Sequence, residues 1–106
     1  MSEELSFNLI PRDGRSNYDW LNIECGTSRV GKVRGSIDSK TLTIFSINIF
    51  PEYERLGYAK RTMDMFKEHF DTIIADRVRR TAVGFWLKMG FVQRKDGNYI
   101  YYRSHL

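Results

Sequence analysis

The residues best suited to chemistry lie in the run Glu54-Arg55-Leu56-Gly57-Tyr58-Ala59-Lys60. Small residues at 57 and 59 open what reads as a helix. At such an opening, successive main-chain N–H groups can point at an anion, helped by the positive end of the helix dipole. Gly57 lets a phosphate approach the backbone without meeting a Cβ. Arg55, Lys60 and Arg61 supply cations beside it. By itself the run says that a phosphate site is available, and an ordinary solvated turn fits it equally well. Other chemistries find little support. Cys25 alternates with Leu21 and Ile23 and reads as a small buried hydrophobe. It is the single cysteine, which excludes an internal disulfide and a cysteine-based zinc site. His69 and His105 lack ligand spacing, and no metal is expected.

These residues need elements to hold them. Thr43 to Ile49 is rich in β-branched and aromatic residues and predicts a strand. Pro51 stops it, because proline cannot donate to a ladder. Beyond the turn, Leu56, Ala59, Met63, Phe66 and Phe70 recur at helical spacing. Asp71 to Asp76 then reads as a short buried strand. A strand–helix–strand unit of this length implies a parallel pair with a right-handed crossover.

Within this unit, Pro51, Tyr53, Gly57 and Ala59 match motif A of the GCN5-related N-acetyltransferases (GNAT), a strand ending in V-x-P-x-Y followed by R/Q-x-x-G-x-G/A. Glu54 stands where that motif has Arg or Gln. Further on, residues 82–91, AVGFWLKMGF, resemble motif B, A-x-x-F-Y-x-K-x-G-F, at the expected distance. Trp86 takes the place of its Tyr. Both motifs in the right order make the resemblance much more specific than either alone. It covers the second half of the chain well and the first half by strand pattern only.

The resemblance implies acetyl-CoA as co-substrate, an amine of a protein or small molecule as acceptor, and a mixed α+β sheet. In that fold the motif A strand splays from its parallel neighbour. The backbone at Ile47 and Ile49 would pair with the pantetheine arm. The loop from Arg55 through Leu56, Gly57, Tyr58 and Ala59 to Lys60 would cradle the pyrophosphate, while Phe85 and Lys88 of motif B would complete the cofactor site. Glu54 beside a diphosphate needs neighbouring cations to offset it. An indole is not a useful proton donor to a leaving thiolate, so Trp86 is expected to pack or to wall the cofactor. For the base, Asp76 at the end of the parallel strand is the candidate, with a loop or capping role as its plain alternative. Arg77, Arg79 and Arg80 precede the motif B helix as a basic cluster.

The rest of the chain frames this unit. Leu5 to Ile10, Tyr18 to Cys25 and Arg29 to Ile37 alternate as strands, the third weakened by Gly31 and Gly35. The expected order is an antiparallel meander, then β-α-β-α-β-β, with Gly90 as a helix C-cap and Lys95-Asp96-Gly97 as a hairpin turn. Relatives usually carry two helices between the first and second strands, and Pro11 to Asn17 is too short for them. An open acceptor groove, one completed by a second subunit, or one fitted to a macromolecule would follow.

With 106 residues, 42% hydrophobic and 14% aromatic, a single domain over 1–106 is expected. The start Met1-Ser2-Glu3-Glu4 has no signal-peptide pattern and no apolar run would span a bilayer, so cytoplasmic residence is expected. A net charge of +4 suits a phosphate-rich cofactor and nucleic acid alike. Two rivals stand beside the transferase: an acyl-CoA-binding module without turnover, favoured by Glu54 and Trp86, and a basic nucleic-acid binder. The second rests on charge and on Tyr99, Tyr101 and Tyr102, which more simply occupy a hairpin strand.

Overall fold

A computed structural model describes residues 4–10, 14 and 18–103. The strands are β1 (Leu5–Ile10), β2 (Asp19–Cys25), β3 (Ser28–Asp38), β4 (Thr41–Ile49), β5 (Thr72–Ala75), β6 (Val92–Gln93) and β7 (Tyr99–Tyr102). They form one seven-stranded sheet in the order β1-β2-β3-β4-β5-β7-β6. The first four make the expected antiparallel meander. β4 and β5 form the parallel pair, joined through helix α1 (Tyr58–His69). A short helix α2 (Val83–Lys88) leads to the β6–β7 hairpin. This is the α+β arrangement that the motifs imply, and β1 and β2 pair directly. Most of the connecting loop, and His105, lie outside the described residues.

The helices pack on one face of the sheet. Period-two alternation sends Leu21, Ile23, Val33, Leu42, Ile44 and Ile73 to that face, all buried. Met63 and Phe66 of α1, with Phe70 just past its end, cover them, and Phe66 meets the Phe7 ring edge-on at 5.4 Å. Burying a side chain of this size contributes about 2 kcal/mol, which is what holds so short a helix in place. The two helices are tied at their C-terminal ends, where Lys67 Nζ donates to the Met89 carbonyl, and the Arg103 guanidinium, just past β7, donates to the Lys67 carbonyl. Gly90 follows α2 at φ +90°, the left-handed turn expected of it.

Two expectations change. Leu56 was grouped with the apolar face of α1, but it precedes the helix and is 62% exposed. Gly31 and Gly35 do not weaken β3, which runs unbroken for 11 residues. A Cβ at either position would lie 2.5 Å from a β4 carbonyl oxygen, that of Asn48 or Thr43. Glycine is what lets these two strands approach.

Register at one point shapes everything that follows. Arg34 opposes Ser46 and Gly35 opposes Ile44, so Phe45 is an extra residue, a β-bulge. Before it, Leu42 and Ile44 face the helices. After it, Ile47 takes that face, opposite Val33. The bulge inverts the parity of β4, so both halves keep an apolar side on the core.

Candidate functional site

β4 pairs with β5 from Thr41–Thr72 to Ile44–Ala75, and the Asp76 N–H closes the ladder on the Ile44 carbonyl at 2.9 Å. There β5 ends, while β4 continues through the bulge to Ile49. Phe45 to Ile49 therefore present an edge with no strand beside it on that side, and a wedge of about 490 Å³ opens between the strands. Ile44 and Ile47 line it from β4, Asp76 stands at its apex, and Ala82 and Trp86 wall it from α2. Ser46 and Asn48 are exposed on the opposite face of β4 and also border it, as does Arg34 of β3. The wedge thus runs from the helical face of the sheet to the helix-free face.

The corner at the head of α1 is open. Arg55 (φ +64°) and Gly57 (φ +83°) both adopt the left-handed conformation, and Gly57 is the N-cap of α1. A Cβ built on Gly57 would meet nothing within 4 Å. The first N–H groups of any helix lack intrahelical acceptors, and here Ala59 and Lys60 stand at that opening. Tyr53 and Tyr58 pack edge to face at 5.9 Å and brace the loop from inside, with the Arg61 guanidinium over the Tyr58 ring at 5.2 Å. Lys60 is paired with Asp64 at 2.9 Å, an exposed i,i+4 contact that a stronger anion could displace. The space beside Gly57 is open, and Glu54, exposed at the rim of the corner, is flanked by Arg55.

Asp76 is about one quarter exposed (23%) at the side chain. Its Oδ1 accepts from Asn98 Nδ2 at 3.0 Å, and its Oδ2 lies 3.7 Å from Arg77 Nε. The Asn98 carbonyl oxygen of the side chain accepts from the Arg77 N–H at 3.1 Å, so the hairpin turn fixes the carboxylate. Trp86 is 5% exposed, stacked edge-on against Phe91 at 4.8 Å, and presents an indole wall to the wedge. Phe85 and Lys88 are not among the residues lining the wedge: Phe85 is partly buried against Trp86, and Lys88 is exposed. Arg77 and Arg79 line it instead. Among the described residues, no group of three or more His, Cys, Asp or Glu is placed to hold a metal ion. Cys25 is buried in the core and His69 stacks on Phe7, both remote from the wedge in the sheet.

A *Bacillus pumilus* protein named an uncharacterized N-acetyltransferase is 31% identical over 102 residues, covering 86% of this chain and 62% of its own length. An *Oceanobacillus iheyensis* protein of the same description is 27% identical over 104 residues, covering 88% and 63%. A solved *Bacillus subtilis* acetyltransferase in complex with CoA superposes with a TM-score of 0.60 at 13% identity, over 97% of this chain and 100% of that one. The chain has the fold of the GNAT acetyltransferases. No family model matches it. It spans just over three fifths of the length of the two curated relatives. Against the GNAT motifs it departs at Glu54 and Trp86.

Three residues at the site carried no weight in the sequence. Arg34 reads as a charge on β3, Phe45 as an ordinary strand residue, and Asn98 as the start of the last strand. Only Phe45 left a trace, because the apolar positions of β4 switch from even (42, 44) to odd (47, 49) across it.

Proposed function

We propose that this domain is an acetyl-CoA-dependent N-acetyltransferase for an amine of a small molecule or protein. The observation that carries the reading is the wedge that opens where β5 stops at Ala75 and β4 runs on. Acetyl-CoA supplies an acetyl thioester, whose acyl carbon bonds to the amine nitrogen as the C–S bond breaks; an ammonium acceptor gives up two protons, one to a base before attack and one to the departing sulfur. The main chain of Ile47 and Ile49 is free on one side to pair with the amides of the pantetheine arm, as a strand would. The N–H groups from Arg55 to Lys60 bind the diphosphate, and Arg79 at the wedge is better placed than Lys88 for the remaining phosphate. Asp76, held by Asn98, receives the proton that the amine must lose. Trp86 excludes water from the acyl group.

The test is titration of acetyl-CoA by calorimetry. Binding is expected in the wild type, and Gly57→Glu should weaken it at least tenfold by placing a carboxylate against the diphosphate. No binding at millimolar acetyl-CoA ends the reading, and unchanged affinity in the variant removes the loop assignment. A binding module without turnover is favoured by one feature, the buried indole where a phenol would serve the leaving group. Product formation with any amine decides against it. Nucleic acid remains the disfavoured partner, a cytoplasmic setting the expected one, and a second subunit over the helix-free face an arrangement that sedimentation would reveal.

A further inference from the structure

On the helix-free face, a second cavity of about 290 Å³ is lined by Tyr18, Arg34, Phe45, Asp76 and Arg77. Four of these five also line the wedge, so the two spaces meet at Arg34, Phe45, Asp76 and Arg77. Arg34 is the unusual member. Its guanidinium lies over the Tyr18 ring, 4.8 Å from the centroid, and Tyr18 is itself set by edge contacts to Trp20 at 5.9 Å and Phe45 at 6.3 Å. The Arg34 Nε is buried, yet finds no hydrogen-bond partner among the described residues. A buried charged donor without an acceptor is uncommon in folded proteins and marks a place where the fold tolerates a cost. Stacking on an aromatic ring fixes the guanidinium plane; with the Nε edge covered, the two Nη groups are the donors left for a flat, two-oxygen anion, the end-on geometry of a bidentate carboxylate. The nearest carboxylate of the protein that borders the same space, Asp76, is engaged by Asn98 and Arg77 instead.

We propose that Arg34 is the specificity residue of the acceptor site, and that the acceptor is a small amine that also carries a carboxylate. The carboxylate pairs with the Arg34 guanidinium and the amine lies toward Asp76 at the apex of the wedge. This rests on the transferase reading, and it adds the chemical class of the second substrate. The bulge at Phe45 is what makes it possible, since it sets Phe45 and Ser46 on the same face as Arg34.

The experiment compares paired probes: lysine against cadaverine, and phenylalanine against phenethylamine, each pair differing by the carboxylate. In protein labelled at arginine, the Arg34 Nε–H resonance should shift with at least one amino acid and not with the matching decarboxylated amine. In acetyl transfer, kcat/KM should favour the carboxylate-bearing member of that pair at least tenfold. Arg34→Gln should erase that ratio and leave the acetyl-CoA affinity unchanged. Equal use of both members of each pair, or a ratio that survives Arg34→Gln, overturns the proposal. So does an Arg34 Nε–H that responds to neither member of either pair. The resonance is read on the wild type and does not depend on how the variant folds. Selective binding at Arg34 without any transfer would overturn the transferase reading and leave this site standing.

Discussion

At the scale of single residues, Asp76 is the most informative position. Its carboxylate is the first side chain past the end of β5, and it accepts a hydrogen bond from Asn98, 22 residues away in sequence. Asn98 holds Asp76 through its amide and the Arg77 N–H through its oxygen. Asp76→Asn preserves the shape and removes the proposed proton acceptor. We expect kcat to fall by about 10²-fold or more, within the range for loss of a general base, with acetyl-CoA affinity unchanged. Steady-state kinetics beside calorimetry measure both quantities, and an unchanged kcat would return Asp76 to a purely structural role. The sequence pointed to Asp76 through its place at the end of a parallel strand. It gave no hint of Asn98, because contacts between a turn and a distant strand end leave no periodic trace.

Elements were more legible than their joints. β1 lies over Leu5–Ile10, as alternation predicts, and the remaining long strands differ by a residue or so at their ends. β4 was recognised as a strand by its β-branched residues, but its bulge was not, since propensity does not count residues against a partner. The change of apolar parity across Phe45 is the signal that could have shown it. The glycines of β3 were misread for a related reason: in one strand alone a glycine looks like weakness, and only the neighbour shows it to be clearance. Gly35→Ala is therefore expected to destabilise the domain by about 1–3 kcal/mol, because the Thr43 carbonyl is backbone and cannot swing away. Chemical denaturation would show a lower midpoint with an unchanged slope. A midpoint equal to that of the wild type would mean that β3 and β4 can part at no cost. Leu56 teaches the converse lesson, since helical spacing extended backwards past a cap picks up residues that the helix does not contain.

At the scale of the molecule, the helices α1 and α2 cover one side of the sheet. The other side carries a layer of aromatic rings and cations: Lys32 sits 4.9 Å above the Trp20 ring, beside the Arg34–Tyr18 stack. That layer shields part of the sheet without forming a second core, since Trp20, Lys32 and Arg34 are all only partly buried. The motifs implied the fold, and the short β1–β2 connection implied an open acceptor groove, one completed by a second subunit, or one fitted to a macromolecule. What fills the helix-free face had to come from register, which places residues of β2, β3 and β4 side by side. Among the described residues, no helix is long and apolar enough to cross a membrane.

The passage through the sheet has a kinetic meaning. Reactants entering a slot from its two ends do not queue: either can arrive first, and neither blocks the departure of the other. With Cys25 locked in the core, no thiol at the slot can store the acyl group between visits. On the proposed transfer, direct passage of the acetyl group from thioester to amine requires both substrates aboard together, and double-reciprocal plots at several fixed concentrations of either one should intersect. Parallel lines would mean that the acyl group rests on the protein, and that the slot is used from one end at a time.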